Sequence, residues 1–567
     1  MKNIRSNRRG RVLTRAVVFG VFAFGVFNHL SWAQDYERVL SAMQAEMERS
    51  TRELRLDDFG PPYFLLYRLS LSKKYSVVCS YGDVGQRSES LQQTPFVEAR
   101  VGSYDLDNTW EGIATAEKLS VGSANFDAAV IRQIFWRLTD SAYKNALRKY
   151  LDKKARLAEE LEEEKLPDFS REQASRSVVL PEEPPQLDSK RMEAICRSAS
   201  RELRRYPQVS MGYVSLAFRS DLRLLVNSEG THLIQEANYT PYSFYIYGEA
   251  RAADGLGVDS FRSGQLRYSG QLPDEEQMAV LVGAVAQEVA ALKTAPLQLP
   301  ELSPALIDGE STGVFFHEAL GHRLEGHRQR EKNELQTFKG KIGASVIPEF
   351  LSVYSDPTLA GFQGMALGAH YFYDSEGVAA RRIPLVEDGI LKGYLMSRRP
   401  IAGFLHSNGS GRSDADNLPE GRMSVLIIES KKGLDQAGLK KRLLKEMQSR
   451  RSPLAFRLVA MRSGEAQTNR GSSQSFIGRP RLVYRVHPDG TEVLVRGLEY
   501  VGTPLVSIQK IVAAGSELIV KNAYCGSSSG FIPVTHIAPS VIVSEIELQR
   551  QPEDRFRPPI LKGPIFE

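Results

Sequence analysis

The stretch that decides the interpretation of this chain is Gly313-Val314-Phe315-Phe316-His317-Glu318-Ala319-Leu320-Gly321-His322. It holds two histidines five residues apart, with a glutamate directly after the first. Neutral imidazoles are good zinc ligands, and a catalytic zinc usually takes three protein ligands and a water whose proton a nearby carboxylate accepts. The apolar run before His317 is typical of a helix anchored in a core. The stretch therefore predicts a core helix that carries part of a catalytic zinc site.

The spacing of the two histidines predicts a distortion of that helix. In the familiar H-E-x-x-H motif the histidines lie about 40° apart around an α-helix, whereas a spacing of five separates them by roughly 140°. A π-type turn, with hydrogen bonds from i to i+5, brings residues five apart onto one face. We therefore expect a widened or broken helix from Ala319 to His322, eased by Gly321. The competing interpretation is a chance occurrence of two histidines near a glutamate.

Composition and charge place the chain among ordinary globular proteins. It has 567 residues, of which 42% are hydrophobic and 25% charged, enough for two to four domains. Residues 1–33 contain six Lys and Arg residues and no acidic one, so removing their charge from the total of +5 leaves −1 for the remainder. The net charge therefore indicates no basic surface, and no nucleic acid partner is expected.

The N-terminal segment has the pattern of a secretory signal peptide. The basic start is followed by an apolar run from Ala16 to Phe27 and by Ser31-Trp32-Ala33, which has small residues at both positions read by a signal peptidase. We expect residues 1–33 to be cleaved and the mature protein to be periplasmic or extracellular. An uncleaved membrane anchor is the alternative, although the run is short for a span of about 20 residues. Arg8-Arg9 leaves export by the general or the twin-arginine route open.

The chain has only three cysteines, Cys79, Cys196 and Cys525. An odd number in an exported chain leaves at least one thiol unpaired. If Cys79 and Cys196 pair, Cys525 is the one left, and because a free thiol survives better in an oxidising compartment when a metal holds it, Cys525 is then a natural third ligand. Cys79 and Cys196 are either a disulfide pair or two small buried apolar residues.

Composition and periodicity predict two domains after the signal. Residues 34–296 combine amphipathic helices with strands, and within them the proline-rich Pro167–Leu187 predicts a surface loop. A composition break at Pro296–Leu302 marks the boundary. Residues 297–567 are mostly strands and glycine-rich turns. The fold class is therefore α+β, with an N-terminal α+β domain and a β-rich C-terminal domain that carries the histidine helix.

The second domain resembles the TldD/PmbA family of metallopeptidases. The strongest match is the segment from His317 to Gly326, which is similar to the metal-site helix of that family. Three further segments follow in the family's order, namely Tyr373-Asp374-Ser375-Glu376-Gly377, Asn408-Gly409-Ser410-Gly411-Arg412 and Tyr524-Cys525-Gly526.

This resemblance implies a zinc ion held by His317, His322 and Cys525, with Glu318 as the general base that acts on a zinc-activated water. It also implies hydrolysis of peptide bonds in peptides or unfolded segments. Family members work as dimers, so a homodimer or a heterodimer with a related subunit is expected.

Several other residues are candidates for roles around the metal. Glu325 could orient a ligating histidine through a hydrogen bond, or be a solvated glutamate. His327 stands where the family often has an acidic residue, and we interpret it as a substrate-side or outer group rather than a ligand. His536 is a formal ligand candidate that we place at the wall of the site.

A second group of candidates would act on the substrate. His370, Tyr371 and Arg412 could stabilise a developing oxyanion or hold the substrate backbone, although structural roles are the more frequent explanation for such residues. Gly526 could let the main chain approach the substrate closely, or belong to a flexible turn.

Two alternative functions remain open at this point. The family includes members that have lost the metal site and support an active partner, so the chain could be a non-catalytic subunit, against which the retained metal-site residues argue. An envelope binding protein with a structural metal would need a fourth protein ligand.

Overall fold

The computed structural model describes residues 36–110, 114–122, 127–158, 166–471 and 475–551, together with residues 556, 561 and 563. The predicted signal peptide, residues 1–33, lies outside the described residues. The helices are α1 (36–53), α2 (Ala128–Leu157), α3 (Ser189–Arg201), α4 (Glu275–Thr294), α5 (Gly309–Phe316), α6 (Gln436–Arg450) and α7 (Pro504–Gln509).

A nine-stranded sheet forms the centre of the first half of the described chain. Its strands are β1 (Phe64–Ser80), β2 (Asp83–Arg100), β3 (Thr115–Lys118), β4 (Val121–Gly122), β5 (Arg176–Val179), β6 (Met211–Asn227), β7 (His232–Glu236), β8 (Tyr242–Arg251) and β9 (Gly257–Leu266). Their order is β3-β2-β1-β6-β7-β5, with β4 beside β2, β8 beside β6 and β9 beside β8. All pairings are antiparallel except the parallel pair β5–β7.

Strand β1 is 17 residues long and contributes to two hydrophobic clusters. Its first half packs with α1 and α2, where Leu65, Tyr67 and Leu69 are buried. Its second half packs with α3 and α4, and there burial alternates with the period of two expected for a strand. The sheet therefore has a helix pair near each end of its long strands.

The second half of the described chain is dominated by strands. They are β10 (Glu301–Ile307), β11 (Leu351–Ser355), β12 (Gly361–Phe362), β13 (Met365–Ala366), β14 (Ile383–Glu387), β15 (Ile390–Leu391), β16 (Gly411–Arg412), β17 (Glu420–Gly421), β18 (Val425–Ser430), β19 (Gly433–Leu434), β20 (Ala455–Ala466), β21 (Phe476–Val486), β22 (Glu492–Val495), β23 (Leu498–Gly502), β24 (Ile511–Ser527) and β25 (Gly530–Arg550). Twelve of them form one sheet, while β12–β13 and β16–β17 are separate ribbons.

Strand β25, 21 residues long, organises this second sheet. It pairs with β10, β18, β23 and β24 along different parts of its length. Helix α5 packs against β25 and β20, and its residues Phe315 and Phe316 are fully buried in the largest hydrophobic cluster. The predicted α+β class and the β-rich second half are confirmed. The exact boundary at residues 296 and 297 stays a prediction.

Two details refine the sequence interpretation. Residues 167–187 are expected to be a loop, but they contain strand β5. This strand pairs in parallel with β7 and lies at the edge of the first sheet. Cys79 on β1 and Cys196 on α3 form a disulfide, and both are completely buried. Among the described helices, none is both long enough and apolar enough to cross a membrane.

Candidate metal centre

Helix α5 leads directly into the segment that carries the two histidines. Its N-cap is Asp308, whose side chain accepts a hydrogen bond from Ser311 N. Residues His317–Gly321 then form a π-helical turn, and His322–Leu324 form a 3-10 turn. The two imidazole rings come to a centroid separation of 4.8 Å. The predicted widening of the helix is therefore confirmed, although it begins two residues earlier than expected.

The small size of Gly321 leaves room for Met423 beside this turn. Its backbone has ordinary right-handed angles, φ −56° and ψ −52°, so the turn does not use the conformational freedom that the sequence analysis invoked. A Cβ atom at this position would lie 2.0 Å from Met423 Sδ. The absent side chain therefore lets the π turn pack closely against the segment that precedes β18.

The β24–β25 hairpin supplies the third candidate ligand. Cys525 lies on β24, directly opposite Ile532 of β25. Its Sγ atom is 3.1 Å from His317 Nε2 and 3.4 Å from His322 Nε2. All three residues are buried, and their candidate ligand atoms lie within 4.8 Å of one another.

The donor set and its spacing fit zinc. Zinc accepts imidazole nitrogen and thiolate sulfur, and tetrahedral coordination with ordinary bond lengths separates sulfur from nitrogen by roughly 3.6 Å. The observed sulfur–nitrogen distances of 3.1 and 3.4 Å are shorter by only a few tenths of an ångström. Three protein ligands are also the usual number in catalytic zinc sites, where the fourth position belongs to water or substrate.

A hydrogen bond to each ligand fixes its orientation. His317 Nδ1 is 3.0 Å from His536 Nε2, and His322 Nδ1 is 2.9 Å from Glu325 Oε1. Arg422 Nη2 donates to the thiol sulfur at 3.0 Å. Such outer contacts set the tautomer and the ring orientation of ligating histidines. Both histidines therefore direct Nε2 towards the sulfur.

Glu325 anchors one side of this arrangement. It is completely buried, and it forms ion pairs with Arg328 at 2.7 Å and with Arg422 at 3.3 Å. Burial opposes its charge, but the Arg328 and His322 charges outweigh burial and hold the pKa of Glu325 well below its usual value. One carboxylate therefore positions both a ligating histidine and the arginine that contacts the thiol.

Electrostatics in the cluster favours a thiolate. Burial opposes it, but the charges and hydrogen bonds of His317 and His322 lower the pKa of Cys525 to about 4. Burial also opposes a charged His322, whereas Glu325 and Cys525 raise the pKa of that histidine to about 10. Zinc binds neutral imidazole, so metal binding near pH 7 releases the His322 proton.

Glu318 lies next to the cluster without entering it. Its Oε2 atom is 3.9 Å from His322 Nε2, and its side chain is almost buried. A Cβ atom at Gly464 would lie 2.4 Å from Glu318 Cγ, so this glycine leaves the space that the glutamate occupies. The carboxylate can thus reach a molecule bound at the metal.

His327 is buried away from the three ligand atoms. Its Nε2 atom is 3.9 Å from Glu420 Oε2, and its Nδ1 atom has no hydrogen-bond partner among the described residues. Burial and the Arg328 charge lower the pKa of His327 well below its usual value. It is therefore a neutral histidine, and a substrate-side role stays a prediction.

The three candidates for substrate contacts gather in one place. His370, Tyr371 and Arg412 line the same cavity, whose volume is about 450 Å³. His370 Nδ1 donates to Pro357 O at 2.8 Å, and Tyr371 donates to Gly409 O at 2.7 Å. Their proposed contact with an oxyanion stays a prediction.

Gly526 makes room for a neighbouring ring. It pairs with Phe531 across the β24–β25 hairpin, and a Cβ atom there would lie 2.8 Å from Phe531 Cε2. Its absent side chain thus accommodates Phe531, and an approach of substrate to its backbone stays a prediction.

Arg422 is not among the site residues predicted from the sequence, and the contact between His536 and His317 is not predicted either. Both residues reach the site through strand pairing, since His536 lies on β25 and Arg422 directly precedes β18, which pairs with β25. No motif or spacing in the sequence links Arg422 to the histidine segment or to Cys525.

The C-terminal domain matches a known family. Residues 301–550 match the model of the PmbA/TldA metallopeptidase C-terminal domain. This domain of the chain therefore belongs to the TldD/PmbA family. The resemblance inferred from the sequence motifs is thereby confirmed.

Several curated members of the TldD/PmbA family are named as metalloproteases. One from Methanothermobacter thermautotrophicus is 27% identical over 322 residues, which cover 56% of this chain and 64% of the relative. The metalloprotease TldD homolog of Haemophilus influenzae is 27% identical over 285 residues, which cover 49% of this chain and 54% of the relative. The chain thus spans less than two thirds of the length of these relatives.

A solved structure of the TldD/PmbA family shares the fold. TldE from Thermococcus kodakarensis superimposes with a TM-score of 0.58 at 14% sequence identity. The superposition covers 90% of this chain and 100% of the TldE chain. The α+β architecture of the family therefore extends into the first half of the chain.

Proposed function

We propose that this protein is an exported zinc peptidase that hydrolyses peptide bonds in peptides or unfolded segments. The observation that carries the proposal is the buried group of His317, His322 and Cys525, with Glu318 Oε2 3.9 Å from His322 Nε2. Metalloprotease is also the name of the curated relatives, which supports a peptidase.

In this proposal His317, His322 and Cys525 hold the metal, and Arg422 orients the sulfur through a hydrogen bond. When bound, zinc supplies Lewis acidity and lowers the pKa of water. Glu318 accepts the proton of the attacking water and returns it to the leaving amine. A thiolate ligand donates more charge than a carboxylate. The metal is therefore a weaker Lewis acid than a zinc whose third protein ligand is a glutamate.

Export of the protein is part of the proposal. The signal-like residues 1–33 motivate it, and the Cys79–Cys196 disulfide supports it, because disulfides form and persist in oxidising compartments. The partner is proposed to be a second copy of the chain or a related subunit, in keeping with the fold that the chain shares with TldE.

The decisive experiment combines metal content with peptide cleavage. Mature protein is purified, its zinc is measured, and unstructured peptides are incubated with it and analysed by mass spectrometry. Glu318→Gln should keep the zinc and lose cleavage by roughly a hundredfold or more. Cys525→Ser should lose the zinc, and Glu429→Gln at a half-exposed site should change neither property.

Two outcomes would contradict the proposal. A wild-type protein without zinc, or a Glu318→Gln variant that cleaves as fast as the wild type, excludes the peptidase. A zinc-loaded protein that cleaves only after a related subunit is added indicates instead a site that needs its partner.

A further inference from the structure

A cavity lies between the first sheet and the loops of the second half of the chain. Its volume is about 450 Å³, and Arg223 and Gln235 from β6 and β7 form one side. Residues 368–375, with Arg412 and Ser413, form the other side, and Ile532 of β25 closes it. The cavity thus joins parts of the chain that are distant in sequence.

Two guanidinium groups face this cavity without a carboxylate partner. Arg223 Nη1 donates to Ser375 Oγ at 2.9 Å, and its buried Nε atom has no hydrogen-bond partner among the described residues. Arg412 donates to two main-chain oxygens, Met423 O and Pro533 O. In the described chain these hydrogen bonds go to neutral groups, while the carboxylates of Asp221, Asp374 and Asp414 lie near enough to favour the charge of Arg223.

A third arginine lies behind the first two. Arg68 is completely buried, and its Nη1 atom donates to Ser413 Oγ at 2.9 Å. Its remaining bonds go to the main-chain oxygens of Ala415 and Asn417. Asp414, Glu98 and Asp416 lie near Arg68 and offset part of its charge, although burial lowers its pKa to about 9.

The two acidic residues of the lining direct their hydrogen bonds and ion pairs to groups other than Arg223 and Arg412. Glu236 forms an ion pair with Arg267. Asp374 is buried, and its oxygens accept hydrogen bonds from the main-chain nitrogens of Glu376, Val378 and Gly411. Burial nevertheless outweighs the attraction of the nearby carboxylates and lowers the pKa of Arg223, so an anion that enters the cavity recovers part of the cost of burying this charge.

Gln235 adds an unpartnered hydrogen-bond acceptor to the unpartnered donor of Arg223 among the described residues. Its side chain is 3% exposed, and Nε2 donates to Tyr373 O at 3.2 Å, which leaves Oε1 as a buried acceptor without a donor. Among the described residues, the cavity therefore combines one unpartnered guanidinium donor, Arg223 Nε, with one unpartnered acceptor, Gln235 Oε1. A C-terminal amino acid residue carries a partner for each, namely its carboxylate and its amide.

The cavity adjoins the candidate metal centre. Ile532, which lines the cavity, stands directly opposite Cys525 in the β24–β25 pairing, and Arg412 Nη2 binds the neighbouring Pro533 O at 2.8 Å. Opposed residues in an antiparallel pair have Cα atoms about 5 Å apart. A peptide whose C-terminal end enters the cavity can therefore extend from it towards the metal ligands.

We propose that this cavity binds the free C-terminal carboxylate of the peptide substrate, with Arg223 and Arg412 as its cationic partners and Gln235 as the acceptor of the adjacent amide. The inference rests on the proposed peptidase function and adds a substrate class to it. The chain then prefers short peptides with free C-termini over internal segments of longer chains.

Binding of matched peptides tests the proposal without turnover. Zinc-loaded Glu318→Gln protein is titrated by calorimetry with one peptide sequence, prepared as the free acid and as the C-terminal amide. The free acid should bind roughly tenfold to a hundredfold more tightly, since charge-assisted hydrogen bonds to guanidinium are lost in the amide. Inorganic phosphate should compete with the acid and leave binding of the amide unchanged.

The preference should disappear when Arg223 is replaced. Arg223→Met in the same background should bind both peptides equally, while Arg223→Lys should keep part of the preference because it keeps the charge. Arg87→Met, which removes one charge at a side chain that is 54% exposed, is the matched control and should keep the full preference. Thermal unfolding checks that each variant is folded.

Equal affinity for the acid and the amide, or a preference that persists in folded Arg223→Met, would overturn the inference. If wild-type protein still cleaves both peptides with equal KM, the peptidase stands and only the carboxylate site fails. If the protein holds no zinc and cleaves neither peptide, the proposed function itself has failed.

Discussion

At the scale of single residues, the candidate centre depends on groups that do not touch the metal. The His536 side chain is buried, with an exposure of 3%, and its Nε2 atom faces His317 Nδ1. Burial and the His317 charge lower the pKa of His536 well below its usual value, so it is a neutral acceptor. It therefore holds His317 in the tautomer that leaves Nε2 free.

Replacement of His536 should weaken metal binding. His536→Ala leaves the His317 Nδ1 proton without an acceptor in a buried site, and loss of such outer contacts typically costs tenfold to a hundredfold in metal affinity, a range of roughly 1.4 to 2.7 kcal/mol. Competition with a chromophoric chelator measures this. His406→Ala, at a side chain that is 71% exposed, is the control. An affinity within threefold of wild type would contradict the prediction.

A second residue-scale prediction concerns Glu376, which is 6% exposed. Burial, and after it the Asp374 charge, raise the pKa of Glu376 well above its usual value of 4.5. The folded state therefore keeps a proton that the unfolded state loses above about pH 4.5, and this residue makes the wild type less stable as pH rises.

Glu376→Gln removes that titration, and its amide oxygen can still accept the hydrogen bond that Arg398 N donates at 2.8 Å. The stability of the variant relative to wild type should therefore increase above pH 4.5, by at most about 1.4 kcal/mol per pH unit. Urea unfolding at pH 5, 6 and 7 measures the difference. A difference that is constant or that shrinks with pH would show that Glu376 does not hold the proton.

At the scale of elements, the π turn is the feature on which the two histidines depend. It starts where α5 ends, so the core packing of Phe315 and Phe316 fixes the position of His317. Its far end packs against Met423 through Gly321. The geometry of the ligands is thus determined by packing at both ends of one turn.

Gly321→Ala should disturb that turn. The added methyl group overlaps Met423 Sδ, and overpacking of this kind costs about 1–3 kcal/mol of unfolding free energy. The zinc content of the Gly321→Ala variant should fall as well, because the turn positions both histidines. Met423→Ala in the same protein should restore part of both, because it removes the overlapping atoms. Gly60→Ala, where no atom lies within 4 Å of the added carbon, is the control, and equal effects at both glycines would refute the account.

The sequence was sufficient for the local part of the centre. The spacing of His317 and His322 predicts the π turn, and the resemblance to the TldD/PmbA family, together with an odd number of cysteines, points to Cys525. Arg422, and the contact that His536 makes with His317, could not be predicted, since these residues lie 103 and 219 residues from the ligands they contact and arrive there through strand pairing. Register between strands distant in sequence leaves no mark in local composition.

At the scale of the whole molecule, the disulfide and the metal centre belong to different halves of the chain. Cys79 and Cys196 close a loop of 117 residues within the first sheet. A crosslink over such a separation contributes about 2–4 kcal/mol of stability. The double variant Cys79→Ala/Cys196→Ala should therefore unfold at a lower temperature and keep its zinc. An unchanged melting temperature would contradict this.

The central claim is that a histidine pair on one element and a cysteine on a distant hairpin hold one zinc ion. X-ray absorption at the zinc edge of the purified protein tests it most directly. The account predicts one sulfur neighbour at about 2.3 Å and three nitrogen or oxygen neighbours at about 2.0–2.1 Å, with the scattering pattern of two imidazoles. A zinc shell without sulfur, or with more than one sulfur, would contradict it.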